Sequence, residues 1–207
     1  FCRAIQVGKG EYLWVISDDD YVSDNCLDLV MKYLNSEQKP DLIGFSVELK
    51  KSVMAGSTKN VITELIKSNI LGITSLTLVT STIFKRVDFS YELFWKYEPF
   101  WFPHSLSIYM TAIERDADCV LIKAKSKLLQ ESGNTIEERR KNSLSPYVVG
   151  LNKQFQSAIL HFINRLAILC AQSKIEEDIY LNKVCERYKC KREYVENGMG
   201  KITGLPD

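Results

Sequence analysis

Residues 17–20 read Ser-Asp-Asp-Asp and follow directly on the apolar run Leu13-Trp14-Val15-Ile16. Three adjacent carboxylates repel one another, and Asp is disfavoured in strands. A hard divalent cation removes that conflict, because Mg²⁺ and Mn²⁺ take carboxylate oxygens as ligands. Such a cation often brings a phosphate with it. The bland alternative is a solvated acidic turn that caps the next helix. Position favours a ligand, because open α/β sheets bind theirs at the C-terminal ends of buried strands. A calcium loop of the EF-hand type is excluded. It needs Gly at its sixth position and Glu at its twelfth, and counting from Asp18 these are Ser23 and Leu29.

The elements that must position these carboxylates follow from hydrophobic period. Residues 11–17 predict a central strand, with four consecutive apolar positions buried on both faces. Ser23 or Asp24 is the N-cap of a helix whose apolar face is Leu27, Val30, Met31 and Leu34. A strand is expected from about Asp41 to Leu49, and a polar loop from Lys50 to Lys59. A second helix carries Ile62, Leu65, Ile66 and Ile70 on one face. The stretch Thr74 to Arg86 is rich in Thr, Leu, Val and Ile, and its plain reading is a Thr-rich strand. Pro103-His104 opens a helix with Leu106, Tyr109, Met110 and Ile113, and a strand runs through Cys119 to Ala124. From Tyr147 the chain reads as a long helix with a stripe of Val148, Leu151, Phe155, Ile159, Phe162, Leu166 and Leu169. That stripe either packs on the preceding domain or touches a membrane peripherally; a polar face that is not markedly basic favours packing. The segment Ile175 to Asp207 carries no legible motif.

The stretch Gly10-Glu11-Tyr12, Leu13-Trp14-Val15-Ile16, Ser17-Asp18-Asp19-Asp20 resembles the metal-binding segment of family-2 glycosyltransferases of the GT-A fold. Ser17 stands where the commonest pattern has its first Asp. The Ser-Asp-Asp-Asp version is similar to the abequosyltransferase-like subgroup of surface-polysaccharide synthesis (O-antigen or capsule type) in bacteria. The resemblance covers roughly residues 1 to 135 and is most specific around Gly10 to Val22. It implies an α/β, Rossmann-like nucleotide-diphospho-sugar transferase fold, with a GT-A portion over residues 1–140 and a helical extension over 141–207. The chain opens with Phe1 rather than Met, so it is expected to be a fragment lacking an N-terminal portion.

The activity implied is inverting sugar transfer from a nucleotide-diphosphate donor to a glycan or lipid-linked acceptor, with Mn²⁺ or Mg²⁺ as cofactor. Asp18, Asp19 and Asp20 would share the metal and ribose contacts, with Asp19 a direct ligand and Ser17 beside them. Asp18 and Asp20 could exchange roles with Asp19. His104 falls where the family carries its general base, and imidazole can accept a proton at neutral pH. Glu98, then Glu92, are the nearest alternative bases. Thr80 to Arg86 matches a segment near the acceptor pocket. One or two rings of Tyr91, Phe94, Trp95, Tyr97, Phe100, Trp101 and Phe102 would stack on an acceptor sugar. Glu131 and Asn134 lie in a segment near the donor phosphates, and Arg139 or Arg140 could reach a diphosphate. Two other classes stay open: a nucleotidyltransferase, which also uses paired Asp after a strand, and a non-catalytic domain that kept the fold.

Composition narrows the field. The chain has 207 residues, 45% apolar and 26% charged, with net charge +1. That suits a sizeable globular core and gives no electrostatic case for nucleic acid. Its six cysteines form no CxxC pair or zinc pattern. Cys26, Cys119 and Cys170 are expected to pack as small hydrophobes, as in a reducing, cytoplasmic compartment, at most at the inner face of a membrane. No membrane span and no signal peptide are read.

Overall fold

A computed structural model describes residues 1–16, 20–22, 24–46, 49–68, 73, 75–77, 79–98, 102–123, 129–131, 146–188 and 192. Helix α1 (Cys2–Val7) leads through Gly8-Lys9-Gly10 into β1 (Tyr12–Trp14). There follow β2 (Asp20–Val22), α2 (Asp24–Leu34), β3 (Leu42–Ser46), β4 (Val53–Ser57) and α3 (Thr58–Ser68). Short 3₁₀ turns at Ser75–Thr77 and Val79–Ser81 precede β5 (Thr82–Lys85), and another, Arg86–Asp88, follows it. The remainder is α4 (Tyr91–Tyr97), α5 (Pro103–Glu114), β6 (Asp118–Lys123), β7 (Leu129–Glu131), α6 (Pro146–Cys170) and α7 (Lys174–Tyr188).

The architecture is α/β. Among the described residues five strands form a mixed sheet in the order β1-β5-β3-β6-β4, in which β3 and β6 pair parallel and the other neighbours antiparallel. Alternation along the strands sends two sets of side chains to opposite faces. Ile43, Phe45, Ile83, Val120 and Ile122 meet Cys26 and Val30 of α2. Leu42, Phe84, Cys119 and Leu121 meet α3, α5, α6 and α7 on the other face. α6 packs on α3 and α5, and α7 packs on α6 and α3. Phe162, Ile163 and Leu166 of α6 and Tyr180 and Val184 of α7 are fully buried in the same cluster as the sheet residues. Burial of each large apolar side chain contributes about 1.5–3 kcal/mol.

Close packing fixes one glycine. Gly44 faces Leu121 across the parallel pair, and a Cβ there would stand 2.4 Å from Leu121 Cδ2 and 3.2 Å from the Tyr109 hydroxyl. The space it leaves lets the buried Tyr109 of α5 reach Thr82 of β5, hydroxyl to hydroxyl at 2.9 Å.

Several sequence expectations are corrected. β1 is an edge of the five-stranded sheet, not a central strand. Leu13 is buried while Tyr12 and Trp14 are half-buried and Ile16 is 46% exposed. The face of α2 is Cys26 and Val30, with Leu29, Tyr33 and Leu34 at its margin, whereas Leu27 and Met31 point outwards. The expected loop from Lys50 to Lys59 contains β4, an edge strand in which only Met54 is buried, and the start of α3. α7 lies inside the helical extension expected over 141–207, in a stretch where no motif is legible. In α6, Ile159, Phe162 and Leu166 of the expected stripe are buried against protein, which withholds them from a membrane. Among the described residues no helix is long and apolar enough to cross one. Cys26, Cys119 and Cys170 are buried free thiols, as expected.

Candidate functional site

β1 and β3 run in the same direction, so the acidic segment leaves the sheet at the end where β3 stops at Ser46. Trp14, the last residue of β1, anchors this exit. Its indole Nε1 donates to the Thr80 carbonyl at 2.9 Å, and its ring lies 6.1 Å from that of Phe45. Beyond it, Ser17, Asp18 and Asp19 lie outside the described residues. Asp20 opens β2, which pairs antiparallel with β7 in the register Asp20↔Glu131, Tyr21↔Gln130, Val22↔Leu129. Two segments more than a hundred residues apart thus meet at the acidic motif, and the register opposes two residues of like charge.

The same end of the sheet is rimmed by hydroxyls. Ser46 Oγ lies 3.3 Å from Ser75 Oγ. The Thr77 carbonyl accepts from His104 Nε2 at 3.0 Å and from Ser105 Oγ at 3.3 Å. These bonds tie the first turn of α5 to the 3₁₀ turn above β5. Pro103 at the helix start suits that turn, since Pro has no N–H to leave unsatisfied.

His104 is buried, with the Phe1 ring centroid 5.2 Å and the Phe102 centroid 6.4 Å away. A carbonyl can only accept, so Nε2 carries the proton and Nδ1 is the nitrogen left to take one. Burial brings the His104 pKa down to about 4, against a smaller opposing pull from the Thr77 carbonyl. The ring is therefore neutral at pH 7, and a weaker base than free imidazole. Glu98 and Glu92 are exposed at the end and start of α4.

Thr80, Ser81 and Thr82, expected beside an acceptor, are between 1% and 3% exposed. Their carbonyl and hydroxyl groups serve Trp14 and Tyr109 instead, which is the plain reading of a Thr-rich strand. The aromatic cluster divides. Tyr97 and Phe102 are core, Phe94 is half-buried against Phe89, and Trp95 (62% exposed) and Tyr91 (38%) face outwards. Phe100, Trp101, Asn134, Arg139 and Arg140 lie outside the described residues.

Among the described residues no group of three or more His, Cys, Asp or Glu could hold a metal ion. The donors of the acidic segment in sequence are all oxygens, a set that suits Mg²⁺ or Mn²⁺ rather than a softer metal. Sequence reasoning missed the two ties that build this end, Trp14 to Thr80 and His104 to Thr77. Both use backbone carbonyls, which leave no trace in side-chain spacing.

No family model, no curated protein and no solved structure matches this chain.

Proposed function

We propose that the chain forms part of a glycosyltransferase of GT-A type. It moves a sugar from a nucleotide-diphosphate donor to a glycan or lipid-linked acceptor in an inverting, Mn²⁺- or Mg²⁺-dependent displacement. The observation that carries this reading is the setting of the acidic segment. It follows the C-terminal end of β1 and runs into β2, where Asp20 stands opposite Glu131. A run of carboxylates at a strand C-terminus suits a cation that in turn holds a diphosphate.

Asp19 would ligate the cation directly, with Asp18 and Asp20 sharing metal and ribose contacts and Ser17 as a polar neighbour. When bound, the cation offsets the charge that develops on the leaving diphosphate. The acceptor proton goes to a base on the chain. His104 offers Nδ1 for it, while its bond to Thr77 keeps the ring in one tautomer. Outward-facing Trp95 and Tyr91 supply apolar ring faces of the kind that stack on sugars.

A second reading, a non-catalytic domain of the same fold, draws on His104 alone. A buried imidazole whose pKa lies near 4 and whose Nε2 is held by a carbonyl serves packing as well as it serves proton transfer.

Calorimetry separates the two. UDP, CDP, GDP and dTDP are titrated into the protein in Mn²⁺ and again in EDTA. The transferase reading expects one nucleotide to bind in Mn²⁺ and not in EDTA. If all four fail in Mn²⁺, the non-catalytic reading stands.

A further inference from the structure

At the other end of β1 lies a cleft of about 550 Å³. Its charged walls are Lys9, Lys85, Arg86 and Arg115, with the carboxylates of Glu11 and Asp41. With Lys39 beside Glu11 and Asp88 beside Arg115, five cations meet three anions, an excess of two positive charges. The cations of its walls come from the α1–β1 loop, the end of β5 with the turn after it, and the turn after α5. Only folding brings them together.

The frame around them is rigid. The Asp41 N–H donates to the Asp118 carbonyl at 2.8 Å, and the Asp118 N–H returns a bond to Asp41 Oδ2 at 2.9 Å. The Lys85 N–H binds the Asp41 carbonyl at 2.9 Å, and the Arg86 N–H binds the Glu11 carbonyl at 3.0 Å. β1, β3, β5 and β6 are all pinned at this edge.

Within that frame each cation uses only some of its donors. Lys85 Nζ donates to Asp41 Oδ1 at 2.5 Å. Among the described residues Arg86 donates through Nη2 alone, to the carbonyls of Gly8 and Gly10. Arg115 donates through Nη1 to the Val87 carbonyl at 2.8 Å, with Asp88 Oδ1 at 3.5 Å. Lys9 makes no ion pair among the described residues. A guanidinium carries five N–H groups in a planar fork, so both arginines keep donors for a further acceptor. Asp88 is 1% exposed and neither of its oxygens is hydrogen-bonded. It holds the Arg115 guanidinium by charge without occupying that fork.

We propose that this cleft binds a phosphate-type dianion, either the free ion or the head of a small phosphorylated ligand. A net excess of two positive charges matches a dianion, and arginine forks match the tetrahedral oxygens of phosphate. The volume falls within the range of small-molecule sites. The inference stands apart from the transferase reading, because it uses neither the acidic segment nor a metal.

The test is thermal unfolding of the chain in EDTA, which silences any metal-dependent site. Inorganic phosphate and phenyl phosphate are each titrated at constant ionic strength against sodium chloride. At about ten times Kd the melting temperature rises by roughly 2–4 °C. Lys9→Glu abolishes the rise, and Arg115→Gln weakens binding about tenfold or more. Lys9 is exposed and makes no ion pair among the described residues, so its variant folds whether or not Arg115→Gln does. Equal responses to the two probes assign the free ion, and a stronger response to phenyl phosphate assigns a phosphorylated ligand. A melting temperature that follows the chloride control overturns the proposal, as does an undiminished rise in Lys9→Glu.

Discussion

At the start of β1 every carboxylate has a cation beside it and cations are in excess: Glu11 is bound by Lys39 at 2.9 Å, Asp41 by Lys85, and Arg86 by two carbonyls. At the end of β1 three carboxylates follow one another, and the sequence has no Lys, Arg or His between Lys9 and Lys32. α5 reaches both ends. His104 in its first turn is tied to Thr77, and Arg115 just past its last turn is tied to Val87. Twelve helical residues span about 18 Å, which separates the two charged regions. The contrast teaches how to read a charge. A carboxylate that takes an ammonium and a backbone N–H, as Asp41 does, contributes to the fold. A run of carboxylates with no nearby cation in sequence costs stability, and a ligand from outside is the simplest way to offset that cost.

The comparison can be sharpened by pH and by substitution, taking the largest effect first. His104 is held neutral, its pKa pushed by burial from 6.5 to about 4. The unfolded chain takes up that proton first, so this stability is complete above about pH 6.5. It is lost as pH falls towards 4, by roughly 2–3 kcal/mol. Urea unfolding of the wild type and of His104→Asn at pH 7.5 and 4.5 measures it, and a slope unchanged in the variant contradicts the assignment.

Asp41 comes next. Partial burial raises its pKa, but the Lys85 ammonium and the Asp118 N–H outweigh that and leave it below the usual carboxylate range. Asp41→Asn therefore lowers stability by about 1–3 kcal/mol at pH 7. The deficit shrinks as acid takes the wild type through the depressed pKa. Unfolding at pH 7 and near pH 2 checks both halves of the statement.

Asp88 has the opposite sign. Burial lifts its pKa to about 6, against a smaller pull from Arg115; Asp41 adds to the rise and Lys85 opposes it. The folded chain then gains stability as pH falls from about 6 towards 3.8. Asp88→Asn removes that gain and is more stable than wild type at pH 8 by about 1 kcal/mol. Equal stabilities at pH 8 count against a buried, poorly solvated carboxylate.

The smallest effect is expected at the acidic end. Asp18→Asn in EDTA raises stability by roughly 0.5 kcal/mol, because it relieves repulsion between neighbours. Removing a carboxylate thus costs stability at one end of β1 and adds it at the other. Asp18→Asn melting below wild type in EDTA would break the comparison.

The elements most legible in the sequence were those whose burial is one-sided and sustained. α3, α5 and the described half of α6 bury the apolar faces their spacing announces, and β3 and β6 are continuous apolar runs inside the sheet. β4 was hidden because an edge strand turned to solvent buries one residue and reads as a polar loop. β1 looks central because four consecutive apolar residues suggest burial on both faces, whereas its Trp14 is half-buried and donates its indole N–H to the Thr80 carbonyl. α7 falls within the expected helical extension, but its packed face was not legible, because Ile175 and Ile179 face solvent while Tyr180, Leu181 and Val184 carry the contact. In the candidate site, the carboxylates were visible as a motif, and the motif's pairing with residues 129–131 is long-range. The basic cleft left no trace, because Lys9, Lys85 and Arg115 are far apart along the chain and its shape depends on strand register.

The most direct test of the central claim is electron paramagnetic resonance of Mn²⁺, which counts free ion by its sharp signal. The account predicts that wild-type protein with the matching nucleoside diphosphate removes one equivalent of Mn²⁺ from solution. Asp19→Ala, at unchanged melting temperature, removes far less. Equal uptake by the two proteins, or none by the wild type with any of the four nucleotides, would contradict it.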